Sequence, residues 1–232
     1  MQVIRDNLAR VRERVAAAAE RAGRKPSEIL LVGVSKYVSA ALSAELVAAG
    51  CIDLGENRPQ QLCEKAAADE VAPLNVRWHM IGHLQRNKVA RTVPLVSMIH
   101  SVDSPRLLKA IDQTASELGK CQPVLLEVNC SGDAEKHGFT ESEVRDFVPQ
   151  LSEFSSVEVR GLMTMAAGSR DLTTAAANFA TLRNLRDELG TLAPAGVEIA
   201  DLSMGMTADF EVAIAEGATI IRVGSALWEG VV

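Results

Sequence analysis

Lys36 ends an apolar run, 29–36 (ILLVGVSK), and period-two alternation puts it on the same side as Val32 and Val34. If that side faces inward, the amine is partly desolvated, which favours Schiff-base formation with an aldehyde. The plain alternative is a lysine that ends its strand and points to solvent. Near the other end, Arg222 stands amid Ile220, Ile221 and Val223 and shares parity with Ile220 and Gly224. A buried guanidinium needs a partner, either a ligand or an acid such as Asp201, because an unpaired internal charge is costly. Two stretches beside it, 201–207 (DLSMGMT) and 222–225 (RVGS), have anion-binding form. Gly205 and Gly224 let backbone N–H groups approach an oxyanion, and Ser203 and Ser225 add hydroxyl donors. Read blandly, the glycines only turn the chain.

Other reactive side chains give weaker patterns. His79 and His83 are four apart but flank 80–82 (MIG) on a strand-to-loop segment, so they share no helix face. The pattern is not H-E-x-x-H, and no metal site is expected. His83 ends a strand and is placed at the mouth of the fold, whereas His79 and His100 read as core or surface histidines. Lys136 and His137 lie in a polar loop, touching a ligand or solvated. Cys51, Cys63, Cys121 and Cys130 form no C-x-x-C pair and read as reduced thiols. No G-x-S-x-G elbow marks a serine nucleophile.

The elements that must position these residues alternate. A leading helix carries Ile4, Leu8, Val11 and Val15, stopped by Gly23 and Pro26. Strand patterns follow at 29–36, 51–56, 77–82, 97–103, 122–130, 157–165, 197–204 and 219–225. Helical patterns lie between them. Ser39 caps one that Gly50 ends, and Ser104 with Pro105 opens another that Gly119 closes. Thr140 and Glu143 form a capping box. Asp171 starts a long helix ending at Gly190, and Thr207 begins a short one stopped by Gly217. Eight strands alternating with helices predict an α/β fold, a single (β/α)8 TIM-type barrel with an extra N-terminal helix. An open doubly wound sheet is disfavoured, because its nucleotide-binding form wants G-x-G-x-x-G and the sequence holds no G-x-G. In such barrels the active site lies at the C-terminal strand ends, with phosphate bound after the last two strands.

Composition sets the outer limits. The chain has 232 residues, 47% apolar and 23% charged, and 24 basic against 30 acidic side chains give a net charge of −6. This balance argues against nucleic-acid or anionic-membrane partners. The first fourteen residues are charged throughout, unlike a signal peptide, and the apolar runs are too short to span a bilayer. The expectation is a cytoplasmic protein whose 232 residues form one domain.

Taken together, 33–41 (VGVSKYVSA), 53–65 (DLGENRPQQLCEK), 78–88 (WHMIGHLQRNK), 127–139 (EVNCSGDAEKHGF) and 202–228 (LSMGMTADFEVAIAEGATIIRVGSALW) resemble the pyridoxal-phosphate homeostasis proteins of YggS/PROSC type. So do 99–104 (IHSVDS) and 159–166 (VRGLMTMA), in the same order along nearly the whole chain. The resemblance implies a barrel similar to the N-terminal domain of alanine racemase, with pyridoxal 5′-phosphate (PLP) covalently held on Lys36. It implies Arg222 at the pyridine nitrogen, Ser203, Gly224 and Ser225 at the phosphate, Asn57 beside the cofactor, and His83 and Met165 near the ring. The sequence departs from the family pattern at Tyr37, Leu54 and Glu127, which leaves the proposed cofactor contacts intact.

The implied role is a non-catalytic carrier or buffer of PLP in vitamin B6 and amino-acid homeostasis, with apo-PLP enzymes as partners. An arginine cannot accept a pyridinium proton, so the ring is a poor electron sink. Racemases add a tyrosine base from a second domain. Here the barrel takes up the whole chain, and the only tyrosine, Tyr37, would face the opposite side of a continued strand. The rival readings are a weak racemase or lyase using Lys36 as base, and a Schiff-base aldolase without PLP. With no aromatic-rich apolar segment, a monomer is expected.

Overall fold

Ile4, Leu8, Val11 and Val15 line one buried face of α1 (Gln2–Arg21), and the chain turns away at Gly23 with a φ of +68°. The protein is described by a computed structural model over residues 2–133, 137–166 and 171–231. After α1 the order is β1 (Leu30–Val34), α2 (Ala40–Ala48), β2 (Asp53–Glu56), α3 (Pro59–Ala67), β3 (Arg77–Met80), α4 (Val89–Thr92), β4 (Val96–Val102) and α5 (Pro105–Glu117). It continues with β5 (Gln122–Glu127), α6 (Glu141–Phe147), β6 (Val157–Met163), α7 (Leu172–Leu192), β7 (Asp201–Ser203), α8 (Phe210–Ala215), β8 (Ile220–Val223) and α9 (Ser225–Trp228).

The strands are parallel and close into one barrel in the order β1 to β8, with β1 paired to both β2 and β8. This is the expected (β/α)8 architecture. Closure sets Val32 directly opposite Arg222. The strands are buried on both faces because each face meets a different core, with polar residues such as Asp53, His79, His100, Ser203 and Arg222 set among the apolar ones. Outside, residues such as Leu54, Ile99, Leu126 and Ile221 pack beneath the helices. Inside, Val32, Met98, Leu125, Met163 and Ile220 form a separate cluster that fills the barrel below the site.

The expected boundaries shift in places. β1 stops at Val34 rather than residue 36, and β7 is only three residues long. α7 does not end at Gly190 but runs to Leu192, where Pro194 stops it. α3 escaped the sequence reading because Leu62 is its only fully buried residue, too thin an apolar signal to read. No helix among the described residues is long and apolar enough to cross a membrane. All four cysteines are free.

Candidate functional site

The backbone leading into Lys36 is held from three sides. Trp228 Nε1 donates to Val34 O at 2.8 Å, and Ser35 N donates to Gly55 O at 3.0 Å. Ser35 Oγ donates to the buried Glu56 Oε1 at 2.8 Å. Lys65 Nζ, from α3, bridges Ser35 O and Glu56 Oε1, each at 2.5 Å. Lys36 itself makes no ion pair among the described residues, and its amine lies 4.8 Å from the centroid of the Tyr37 ring. Tyr37 therefore does not face away from the lysine as expected. The strand has already ended, alternation no longer applies, and the ring, 82% exposed, lines the same cavity as Lys36.

That cavity, of about 820 Å3, opens at the C-terminal ends of β1 and β8 and is lined by Lys36, Tyr37, Thr207, Arg222, Gly224 and Ser225, among others. The loops after β7 and β8 form its far wall. Gly205 turns the first at φ +90°, where an added Cβ would lie 2.5 Å from Ala213 Cβ, so only glycine fits. Its carbonyl accepts Arg222 N at 3.0 Å. Gly224 N donates to Thr207 Oγ1 at 3.2 Å, joining the two loops. Gly224 also caps the short α9, its carbonyl accepting from Leu227 N at 2.9 Å. Arg14 of α1 adds a further cation to the rim, paired with Glu211.

Arg222 points inward as its parity predicts and is 3% exposed. Its partner is not Asp201, which pairs with Arg160 at 3.2 Å. Instead Nη1 donates to Ser203 Oγ at 2.5 Å and Nη2 to Thr164 O at 2.9 Å. Burial brings its pKa down to about 10, against the pull of Glu127 and Asp209, so the guanidinium keeps its charge at neutral pH. From Ser203 the contacts continue across the barrel. His100 Nδ1 lies 2.8 Å from Ser203 Oγ, His100 Nε2 lies 2.9 Å from His79 Nδ1, and His79 Nε2 lies 3.0 Å from Asp53 Oδ1. Arg77 closes the line with two bonds to Asp53, at 2.8 and 2.5 Å. Glu127, on β5, also faces inward. Burial pushes its carboxyl up to about 7, with Asp103 adding to the shift and Arg222 opposing it.

Of the residues singled out in the sequence, Lys36, Arg222, Gly224 and Ser225 meet around one cavity. Ser203 does not join them. β7 turns its side chain into the barrel, where it is fully buried against Arg222 and His100 rather than open to an anion. Thr207, four residues on in the same glycine loop, presents its hydroxyl there instead. Asn57 follows β2 outside the cavity wall, against Gly82, where an added Cβ would come within 2.4 Å of Asn57 O. His83 and Met165 are exposed at other strand ends, and Lys136 lies outside the described residues. His79 and His100 are core histidines with polar partners.

Residues 6–230 match the alanine racemase N-terminal domain. Similar chains include the pyridoxal phosphate homeostasis protein of Aquifex aeolicus, 39% identical over 96% of this chain and 96% of that one. That of Escherichia coli K12 is 34% identical over 98% and 97%. The structure of PipY from Synechococcus elongatus with PLP bound superposes at a TM-score of 0.86, with 37% identity, covering 97% of this chain and 99% of that one. An alanine racemase of Clostridium difficile shares the fold at a TM-score of 0.75 and 18% identity, with 56% of its length covered.

Proposed function

The chain belongs to the pyridoxal phosphate homeostasis family, and on that premise we propose that it holds PLP on Lys36 as a carrier or buffer, with little catalysis of its own. The observation that carries this reading is the convergence of an unpaired lysine amine, a buried guanidinium and two joined glycine loops on one cavity. These residues fit the group: an amine for its aldehyde, N–H and hydroxyl donors for its phosphate, and a fixed cation for its ring. When bound, PLP supplies an electrophilic carbon and a ring able to accept electrons.

The chain's own residues restrict the chemistry available at the site. Trp228, Lys65 and Glu56 fix the approach of Lys36. Gly224, Ser225 and Thr207 would hold the phosphate of the cofactor, and Lys36 its aldehyde. Two of the five Arg222 N–H donors are taken by Ser203 and Thr164, and the guanidinium is among the groups that line the cavity. A guanidinium could offer a ring nitrogen a hydrogen bond but would accept no proton from it, so Arg222 would favour an unprotonated ring. This favours holding the cofactor over stabilising carbanions.

A second reading is favoured by Tyr37. Its hydroxyl-bearing ring beside Lys36 gives the cavity two groups able to move a proton. Incubating loaded protein with amino acids in deuterated water decides between them. Exchange at Cα that is lost in Tyr37→Phe or Lys36→Ala supports an enzyme, and no exchange supports the carrier.

The carrier reading is tested by adding PLP to purified protein. Wild type gains the visible absorbance of lysine-bound PLP and Lys36→Ala does not; a wild type that stays colourless overturns it. Activation of an apo-PLP enzyme that persists with a trap for free PLP supports direct delivery. Activation abolished by the trap leaves buffering alone.

A further inference from the structure

Three side chains from separate connections converge at the mouth of the barrel, none of them lining the Lys36 cavity. His83 follows β3, Asp103 follows β4, and His137 lies between β5 and α6. His83 Nδ1 is 3.0 Å from Asp103 Oδ2. The His83 and His137 rings stack with centroids 4.1 Å apart and planes at 13°. One nitrogen or oxygen from each residue lies within 4.8 Å of the other two.

The fold sets this arrangement in place. Ser101 Oγ donates to Gly82 O at 2.6 Å and ties the His83 connection to β4. Asp103 is only 13% exposed, and Ser104 Oγ donates to its Oδ1 at 3.1 Å. Phe139 N donates to Glu127 O at 2.7 Å and Phe139 O accepts from Asn129 N at 2.9 Å, folding the His137 loop back onto β5. Gly138 permits this at φ +114°, where a Cβ would sit 2.9 Å from Glu127 O.

An independent feature points the same way. Glu127 shares inward parity with Leu125, is 4% exposed, and interacts electrostatically with Asp103. Its Oε2 has no hydrogen-bond partner among the described residues. A second carboxyl group, with an orphan buried oxygen, thus lies within electrostatic reach of the Asp103 that His83 contacts. A cation bound above them offsets the cost of keeping these carboxyl groups close together and out of water.

We propose that His83, Asp103 and His137 bind one divalent transition-metal ion at the barrel mouth, with Glu127 beneath as an outer anion. Two imidazoles and a carboxylate suit zinc, cobalt(II) or nickel(II), whereas calcium and magnesium want oxygen ligands throughout. Ring-nitrogen lone pairs lie in the ring plane, so stacked rings cannot both aim at one ion. His83, 40% exposed, and the exposed His137 have room to turn as the ion enters. Three protein ligands leave at least one coordination position open to water or a small molecule at the mouth.

The probe is cobalt(II), added to chelator-stripped, PLP-free protein whose thiols have been blocked. One equivalent should bind, with visible d–d bands and without thiolate charge-transfer absorption, and zinc should displace it. His83→Ala and His137→Ala, both at exposed positions, should each weaken binding at least about tenfold, and so should Asp103→Asn. Thermal melting without metal verifies that the variants fold. Uptake only above about 1 mM marks an adventitious ion and overturns the proposal. Uptake unchanged in both histidine variants overturns it as well. PLP binding plays no part in these readouts, so the two proposals fail separately.

Discussion

His100 Nδ1 sits 2.8 Å from the Ser203 hydroxyl, and that contact gives the polar line through the barrel a single direction. Arg222 can only donate, so Ser203 Oγ accepts from it and passes its own proton toward His100 Nδ1. His100 Nε2–H then donates to His79 Nδ1, and His79 Nε2–H donates to the Asp53 carboxylate. A fixed cation at one end and an anion at the other assign both rings as neutral Nε2–H tautomers. Nitrogen-15 spectra of the imidazoles should show that form for both rings near pH 7. Nδ1–H signals would refute the direction.

Breaking the line should release Arg222. Ser203→Ala removes one of its two bonds while taking away little volume. A lost charge-assisted hydrogen bond is worth about 1.5–3 kcal/mol, so PLP should be held roughly 10- to 150-fold more weakly. The bound cofactor's absorbance should also move. Unchanged affinity and absorbance would show that Arg222 keeps its place without Ser203.

Acid should destabilise the fold in two stages. Burial, reinforced by His79 whenever that ring carries a second proton and by the Arg222 charge, holds His100 well below the ordinary 6.5. Below about pH 6.5 the unfolded chain therefore takes up a proton that the folded one refuses, at a cost of up to about 1.4 kcal/mol per pH unit. Burial alone would raise the Asp53 pKa, but hydrogen bonds from His79 and Arg77 outweigh it and hold it below the usual aspartate value. The stability Asp53 contributes is present above its unfolded pKa and is lost as pH falls through the folded one, the second stage. Urea unfolding at several pH values should show the first slope, and His100→Gln should flatten it.

Two glycines should respond to alanine with opposite signs. At Gly161 an added Cβ would lie 1.9 Å from Asp201 O, where β6 meets β7, and backbone cannot yield cheaply. Gly161→Ala should cost about 3 kcal/mol or more. Gly190 lies inside α7 with nothing within 4 Å of the added atom, so Gly190→Ala should stabilise by about 0.5–1 kcal/mol. Chemical denaturation of both variants checks the pair.

Lys65→Met should leave the fully buried Glu56 without its cation and loosen Ser35 next to Lys36. Stranding a buried charge costs about 3–5 kcal/mol. The Lys65→Met/Glu56→Leu pair should cost less than the sum of its parts. Additive effects in denaturation curves would mean that the ion pair has little hold on the structure.

Side-chain parity makes the faces of the strands legible from sequence, and with them the inward turn of Arg222, whereas Lys36, two residues beyond β1, reaches the cavity from the loop that follows. It cannot say which inward residues meet, because that depends on stagger between strands. A register shift between Trp78 and His79 helps set His79 against His100, and no one-dimensional pattern records it. Ser203 departs from expectation for that reason: its place in a phosphate-type loop is plain in the sequence, but its inward partners are not. Tyr37 departs because parity does not extend past the end of β1. His137 is tied to His83 and Asp103 only through the β5–α6 loop, whose path is fixed by Phe139 and Gly138 rather than by spacing.

Barrel closure also has a timetable. Trp228 holds the Val34 carbonyl across 194 residues of chain, and Arg222, Gly224 and Ser225 all come after the seventh strand. At about 5–20 residues per second, a ribosome needs roughly 10–40 s to deliver them after β1 has been made. Until then Lys36 has neither its guanidinium neighbour nor the loops that complete the cavity. Any ligand of this cavity is thus taken up only once the barrel is finished, and a stalled chain lacking β8 carries the lysine but no pocket around it.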